Sequence, residues 1–303
     1  MNARSRLQVE SFHDAATQTF SHLVMDRETR EVALIDTVLD YEPASGRTST
    51  AQAQRLVDRV AALQARVAWI LETHVHADHL SASAWLQERV GGRIGIGARI
   101  TEVQQTFGAL FNAGPDFDRQ GRAFDELFDE GKQVALGGLT ITAWLTPGHT
   151  PACTTYLVRD PAMDASADAH TGLAAFVGDT LFMPDFGTAR CDFPGGDARS
   201  LYRSINRLLS LPPATPLYLC HDYPPDGRAP EALVTVQAQR EGNVHVRDGI
   251  SEEAFVALRQ ARDAGLDMPR LILPAVQINM RAGRFPPPES NGLRYLKIPL
   301  NAL

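Results

Sequence analysis

Residues 67–80 read VAWILETHVHADHL, an apolar run followed at once by three histidines and one aspartate. The run VAWILET is typical of a buried strand, so the polar cluster is predicted to lie at the carboxyl end of that strand. His74 and His76 are alternate residues, and both can reach one ion if the loop stays extended. Asp78 and His79 follow a turn and can reach a second ion. The stretch therefore predicts a metal site, with the number of ions open.

Strand-like runs occur in two sets along the chain, and helical patterns follow each set. Residues 197–209 are a predicted helix, with Asp197 as its N-cap and apolar residues in register. The strand-like runs are residues 7–12, 20–25, 31–36 and 67–73 in the first set, and 134–145, 153–158, 174–179 and 215–220 in the second. Two sheets packed together with helices outside, a layered α/β sandwich, are the predicted architecture.

Three segments carry weaker patterns. Residues 107–132 mix glycine, proline, acidic and aromatic residues and are interpreted as a loop with some helix. Residues 159–173 are polar and are predicted to form a surface loop. A capped helix is predicted at 251–265, followed by a proline-rich tail. No linker is evident, so we expect a catalytic domain at 1–240 with a helical extension, 241–303, packed on it.

Composition excludes several classes of protein. The formal charge of the 303-residue chain is −7, and no run of Lys or Arg opposes it, which argues against a nucleic-acid or anionic-membrane partner. No stretch reaches the ~18 consecutive apolar residues of a membrane span, and the N-terminus lacks the apolar centre of a signal peptide. Cys153, Cys191 and Cys220 are odd in number and far apart. A cytoplasmic protein with reduced thiols is the expectation.

Three more chemistry-bearing residues also follow predicted strands. His149 lies in TPGHTP, Asp179 in VGDTLF and His221 in LCHDY, so only the fold can bring them to the histidine cluster. Imidazoles together with a carboxylate suit a first-row transition metal, whereas calcium and magnesium prefer oxygen ligands. The remaining histidines are interpreted as ordinary core or surface residues: His13, His22, His170 and His245.

The motifs THVHADH, TPGHT, GDT and HDY resemble those of the metallo-β-lactamase superfamily. The resemblance implies a four-layer αββα sandwich of two mixed sheets flanked by helices. A finer resemblance, to persulfide dioxygenases, depends on GDTLF, GTARCDFPGGD, HDY and the tail motif NMRAG. The chain resembles glyoxalase II more distantly. The segment MPDFGTAR and the 159–173 loop are longer here than in the shorter family branch.

The resemblance to persulfide dioxygenases implies an enzyme that oxidises glutathione persulfide with O2 to sulfite and glutathione. It implies one Fe(II) per chain, held by His74, His149 and Asp179, although zinc can occupy such ligands. The other motif residues would then support the ligands or mark a second-metal position: His76, Asp78, His79 and His221. The expected partners are these small molecules, and a homodimer stays open as an assembly.

Substrate contacts are predicted from the family-specific motifs. Arg190 and Arg281 lie in two of them and can pair with the carboxylates of glutathione, because guanidinium binds carboxylate in a bidentate manner. Tyr223, next to His221, can line the pocket. Each arginine can equally form a structural salt bridge, and the tyrosine can equally be plain packing.

Two other functions compete with the dioxygenase. A binuclear thioester hydrolase of the glyoxalase II type would use all seven ligand positions, with Asp179 bridging two metals. A metal- or persulfide-binding sensor without catalysis would need an output element, and the sequence shows no DNA-reading motif or basic patch.

Overall fold

The computed structural model describes residues 5–163 and 172–302. His170 and most of the predicted 159–173 loop lie outside these residues. The strands are β1 (Leu7–Asp14), β2 (Thr19–Asp26), β3 (Glu31–Ile35), β4 (Val38–Glu42), β5 (Arg47–Ser49), β6 (Arg66–Leu71), β7 (Leu80–Ser81), β8 (Arg93–Gly97), β9 (Glu126–Phe128), β10 (Gln133–Leu136), β11 (Leu139–Leu145), β12 (Thr154–Arg159), β13 (Leu173–Phe176), β14 (Pro216–Tyr218) and β15 (Leu233–Thr235). The α-helices are α1 (Ala51–Ala62), α2 (Ser83–Val90), α3 (Ile100–Leu110), α4 (Ala198–Leu209), α5 (Val236–Gly242), α6 (Glu252–Asp263) and α7 (Ile272–Asn279).

The strands form two six-stranded mixed sheets and one small three-stranded sheet. The first sheet has the order β1-β2-β3-β6-β8-β9, and the second has the order β10-β11-β12-β13-β14-β15. Strands β3, β6, β8 and β9 are mutually parallel, as are β13 and β14. Parallel strands present their carboxyl ends at one edge, which is where the loops after β6 and β14 emerge.

Three apolar clusters define four layers. One cluster joins the inner faces of the two sheets, for example Trp69 of β6 with Tyr156 of β12. A second packs α1, α2, α3 and α7 against the outer face of the first sheet, and a third packs α4, α5 and α6 on the second sheet. The predicted αββα sandwich is therefore confirmed. Within the described residues, no helix has the length and hydrophobicity to cross a membrane.

Local predictions succeeded where the pattern was periodic. Asp197 caps α4 by accepting a hydrogen bond from the Ser200 amide at 2.7 Å, as predicted. The interpretation of 107–132 as a loop with some helix agrees with the end of α3, but it missed the start of that helix at Ile100 and strand β9. The predicted tail contains α7, which was also missed: its sequence, ILPAVQIN, is apolar on most sides and includes a proline.

Candidate metal centre

Loops at strand ends bring seven motif residues together in the interior. The loop 72–79 follows β6, His149 follows β11, Asp179 lies in a single 3₁₀ turn after β13, and His221 follows β14. All the histidines of the cluster are buried: His74, His76, His79, His149 and His221. The candidate ligand atoms fall into two groups that meet at Asp179.

The first group consists of His74, His149 and Asp179, whose ligand atoms lie within 4.8 Å of one another. Asp179 Oδ2 is 3.8 Å from His74 Nε2 and 3.7 Å from His149 Nε2. His149 Nδ1 donates to the Arg190 carbonyl at 2.8 Å. His74 Nδ1 contacts Thr73 Oγ1 at 3.0 Å, and that hydroxyl in turn donates to Asp36 at 2.9 Å. These bonds place a proton on each Nδ1 and leave each Nε2 lone pair free for a metal.

The second group consists of His76, Asp78, His79 and His221, whose ligand atoms also lie within 4.8 Å of one another. His221 Nε2 lies 3.2 Å from Asp78 Oδ2 and 3.4 Å from Asp179 Oδ1. The outer nitrogens of His79 and His221 are held less closely than those of the first group. The Nδ1 atom of His79 is 3.4 Å from Thr19 Oγ1, and that of His221 is 3.3 Å from the same hydroxyl.

Four buried atoms at this junction form no hydrogen bond: His76 Nδ1, His79 Nε2, His221 Nε2 and Asp179 Oδ1. His221 Nε2 lies within ion-pair distance of Asp78 and Asp179 without forming a hydrogen bond to either residue. Buried polar atoms are nearly always paired in folded proteins. A bound cation would satisfy these atoms, so the donor set fits a metal.

Two acidic residues that the sequence did not single out surround His76. Its Nε2 atom lies 3.0 Å from Asp36 Oδ1 and 3.3 Å from Glu72 Oε2. Burial lowers the pKa of His76, but the carboxylates of Asp36 and Glu72 outweigh burial and raise the pKa well above its usual value. Burial, with His76 and His149 nearby, instead holds the pKa of His74 well below its usual value. A carboxylate behind an imidazole is a frequent arrangement around metal-binding histidines.

Asn279 explains what the tail motif NMRAG does in the fold. Its side-chain amide donates to the carbonyls of His76 at 2.9 Å and His79 at 2.8 Å, and its Oδ1 accepts from the Ser81 amide at 2.7 Å. The residue lies at the end of α7, about 200 positions from the loop it holds. Its place in a family-specific motif was the only sequence signal for this role.

Close backbone approaches explain two glycines of the motifs. Gly148, with φ of 146°, lies so near α4 that an added Cβ would be 2.3 Å from Leu201 Cα. Gly178 has φ of 52°, and an added Cβ would be 2.5 Å from Thr73 Oγ1. Any side chain would displace the neighbouring loops, so the glycines keep His149 and Asp179 in place.

The three cysteines are free, as expected for reduced thiols, and all are buried. Burial raises the pKa of Cys153 to about 12. Cys220 differs from the others, because its Sγ lies within 4.8 Å of ligand atoms of Asp179 and His221. Burial and the surrounding carboxylates raise its pKa well above its usual value, which disfavours the thiolate.

A cavity of about 400 Å³ opens onto the first group at His149 and Asp179. Its walls are largely apolar, with Phe182, Phe186 and Leu271 among them. The predicted contacts Arg190 and Tyr223 both line this cavity. The ring of Tyr223 stacks on the ring of His221, with 5.6 Å between the ring centres.

Arg281 lies elsewhere. Its guanidinium is 4.2 Å from the centre of the Phe117 ring, and burial lowers its pKa. Its side chain is not part of the cavity wall, so the expectation that it binds substrate there finds no support. NMRAG contributes to the site through Asn279 instead.

Comparison with known proteins gives a superfamily and a range of activities. A sequence profile described as the metallo-beta-lactamase superfamily matches residues 16–160. A probable metallo-hydrolase of Burkholderia pseudomallei strain 1710b is 63% identical, over 98% of this chain and 100% of that protein. Glyoxylase B2 of Dictyostelium discoideum is 41% identical over 99% of each chain.

Persulfide dioxygenases are also similar, at lower identity. The mitochondrial persulfide dioxygenase ETHE1 of Bos taurus is 29% identical, over 89% of this chain and 87% of that protein. The crystal structure of ETHE1 from Myxococcus xanthus superposes with a TM-score of 0.69 at 28% identity, covering 91% of this chain and 100% of that chain.

The αββα sandwich and its histidine–aspartate cluster thus define a metal-binding enzyme fold. The chain belongs to the metallo-β-lactamase superfamily. Within that superfamily its relatives include both hydrolases and dioxygenases.

Proposed function

We propose that the chain is a non-haem Fe(II) persulfide dioxygenase that oxidises glutathione persulfide with O2 to sulfite and glutathione. The observation that carries the proposal is the first group. Its two histidines are held at Nδ1 by bonds of 3.0 and 2.8 Å, so their Nε2 atoms and Asp179 form a pre-oriented set of two imidazoles and one carboxylate. Iron(II) bound by such a set keeps coordination positions open for a soft sulfur and for dioxygen.

The overall reaction is balanced with one water molecule. The S–S bond of the persulfide breaks, and the carrier leaves as a thiol. The outer sulfur gains both atoms of O2 and one oxygen of water and is oxidised to sulfite, the carrier sulfur is reduced to the thiol, and dioxygen accepts the net electrons that are lost. The protons released with sulfite need an acceptor, and the imidazole of His221, whose Nε2 lies 3.2 Å from the Asp78 carboxylate, can pass a proton on to solvent.

The cavity suits a persulfide carrier of glutathione size. Its apolar wall beside His149 and Asp179 keeps bulk water away from the reacting sulfur, and Arg190 lies at the same cavity. Asp78 and Asp179 line the metal end of the cavity, where a bound cation would offset their charge and would offer a binding position to a soft sulfur.

The experiment is oxygen uptake by Fe(II)-loaded protein with glutathione persulfide, with sulfite measured in the same sample. We expect about one sulfite per O2 consumed, as the balanced reaction requires. An enzyme that retains its iron yet takes up no oxygen would contradict the proposal.

A second candidate is a binuclear thioester hydrolase. The unpaired atoms of His76, His79 and His221 favour it, because they could hold a second ion beside the first, and glyoxylase B2 is 41% identical. Hydrolysis of S-lactoylglutathione by protein holding about two metal ions per chain would support this activity. Its absence in the same preparation that consumes oxygen would exclude it.

A further inference from the structure

Four arginines line the cavity at the metal centre, at Arg190, Arg259, Arg262 and Arg270. The last three come from α6 and from the segment between α6 and α7. Acidic groups, Asp78 and Asp179, line the metal end of the same cavity. The cavity therefore has carboxylates at its metal-binding end, apolar walls and arginines.

Two of these arginines are already neutralised. Arg190 forms a bidentate pair with Asp192, with N–O distances of 2.5 and 2.6 Å, and also donates to the Asp267 carbonyl. Arg259 is buried and pairs with Asp263 at 2.6 Å while donating to the Thr188 carbonyl. Both guanidiniums crosslink parts of the cavity wall, and because a carboxylate already compensates each positive charge, neither is expected to bind an anionic ligand strongly.

Arg262 and Arg270 differ, because neither side chain forms a hydrogen bond or an ion pair with any residue in the described part of the chain. Both are exposed to solvent at the cavity. Leu266, Pro269 and Leu271 lie near them along the chain and line the same cavity. Unpaired guanidiniums next to apolar walls attract anions and bind carboxylates in a bidentate manner.

We propose that Arg262 and Arg270 determine substrate specificity by binding the two carboxylates of the thiol carrier. This inference rests on the proposed function in one respect, namely that the carrier is a glutathione-type peptide. Two free guanidiniums match its two carboxylates in number. A soft sulfur suits the metal-binding end of the cavity, so the carrier enters with its sulfur towards His149 and Asp179 and its peptide ends towards the arginines.

The test measures binding of S-methylglutathione, which cannot form a persulfide, to the metal-loaded protein by calorimetry. Arg262→Ala and Arg270→Ala should each raise Kd roughly five- to tenfold, as expected for loss of one charged pair at a cavity rim. Arg247→Ala is the matched control, because Arg247 is exposed and its side chain lines none of the cavities described. It removes the same charge and should leave Kd unchanged.

A glycine-ethyl-ester derivative of S-methylglutathione assigns the contacts. It lacks one carboxylate, so the arginine that binds that group should lose its effect on Kd while the other arginine keeps its effect. Equal Kd values for the wild type and both variants would overturn the inference.

The outcome is separable from that of the proposed function. Arginine-dependent binding without oxygen uptake would leave the inference standing and reject the dioxygenase. Oxygen uptake together with unchanged Kd values in both arginine variants would support the dioxygenase and reject the inference about Arg262 and Arg270.

Discussion

The two groups of metal-ligating residues share one loop and one aspartate, yet their surroundings differ. In the first group, the outer nitrogens of His74 and His149 are held at 3.0 and 2.8 Å. In the second, the outer nitrogens of His79 and His221 have contacts of 3.4 and 3.3 Å to one shared hydroxyl, that of Thr19. Both groups offer imidazoles and carboxylates, so the types of ligand residue alone do not determine how many metal ions are bound. The partners behind the ligands orient them, and they favour the first group, because in the second group only His76, at 3.0 Å from Asp36, is held as closely.

His22 gives a third reference point within the same sheets. It is buried, and both its ring nitrogens are bonded, to Ser11 Oγ at 2.9 Å and to the Leu219 carbonyl at 3.0 Å. It is therefore the core histidine that the sequence analysis expected. A histidine with both nitrogens bonded is structural, whereas the clustered histidines each keep an inner nitrogen without a hydrogen bond to the protein.

The largest effect is expected for Asp179→Ala, which removes the residue that both groups share. Turnover and metal retention should fall by more than about 100-fold, because residues that merely support ligands already cost about 10- to 100-fold. Metal analysis and oxygen uptake measure the two losses. Asp248→Ala is the control, since Asp248 is an exposed acid that pairs with Arg240. Normal metal content in Asp179→Ala would contradict the assignment of Asp179 as a metal ligand.

The next largest effect is a difference in metal retention between variants of the first and the second group of ligand residues. His149→Ala should lose metal nearly as completely as Asp179→Ala, whereas His76→Ala should keep its metal affinity within about tenfold if one ion binds at the first group. Metal content after dialysis against a weak chelator provides the measurement. Equal losses from both variants would show that the second group holds metal as strongly as the first.

Asn279→Ala tests whether the tail holds the histidine loop. The change leaves the His76 and His79 carbonyls and the Ser81 amide without their partner, so the free energy of unfolding should fall by about 3 kcal/mol. Denaturant titration measures it, with Asn291→Ala as an exposed control in the same tail. A change no larger than that of the control would mean that the loop keeps its shape without α7.

The smallest effect is expected for the pH dependence of the unfolding free energy that His22 contributes. Burial lowers the pKa of His22 from 6.5 to about 4, so the unfolded chain binds the proton more readily between these values. Its stabilising contribution is complete above pH 6.5 and is lost as pH falls towards 4, reaching a loss of about 2 kcal/mol at pH 5. His22→Gln in metal-free protein should show a correspondingly shallower decline in unfolding free energy from pH 7 to 5. Parallel profiles for both proteins would contradict the account of His22.

The sequence predicted the sandwich because strand and helix periodicities are local. The apolar run before His74 predicted strand β6, and Asp197 predicted the start of helix α4. Helix α7 was missed because it is buried on most sides, so its apolar residues show no stripe. Its importance for the loop depends on contacts about 200 positions apart, which no local pattern reports.

The seven ligand positions were found from motif spacing, since their residue types are chemically distinctive. Asp36 and Glu72, which surround His76, were missed because a single acidic residue in a sequence gives no sign of its partners. Arg262 and Arg270 were missed for a related reason. Their lack of a partner is a property of the folded chain, and Arg281 was chosen instead from a motif whose contact to the site is made by Asn279.

The central claim is that one metal ion, iron, is held by His74, His149 and Asp179. The most direct test is elemental analysis of protein purified without added metal, expressed as ions per chain. The account predicts about one iron per chain and little of any other metal. About two ions per chain, of whatever identity, would contradict it and favour the hydrolase.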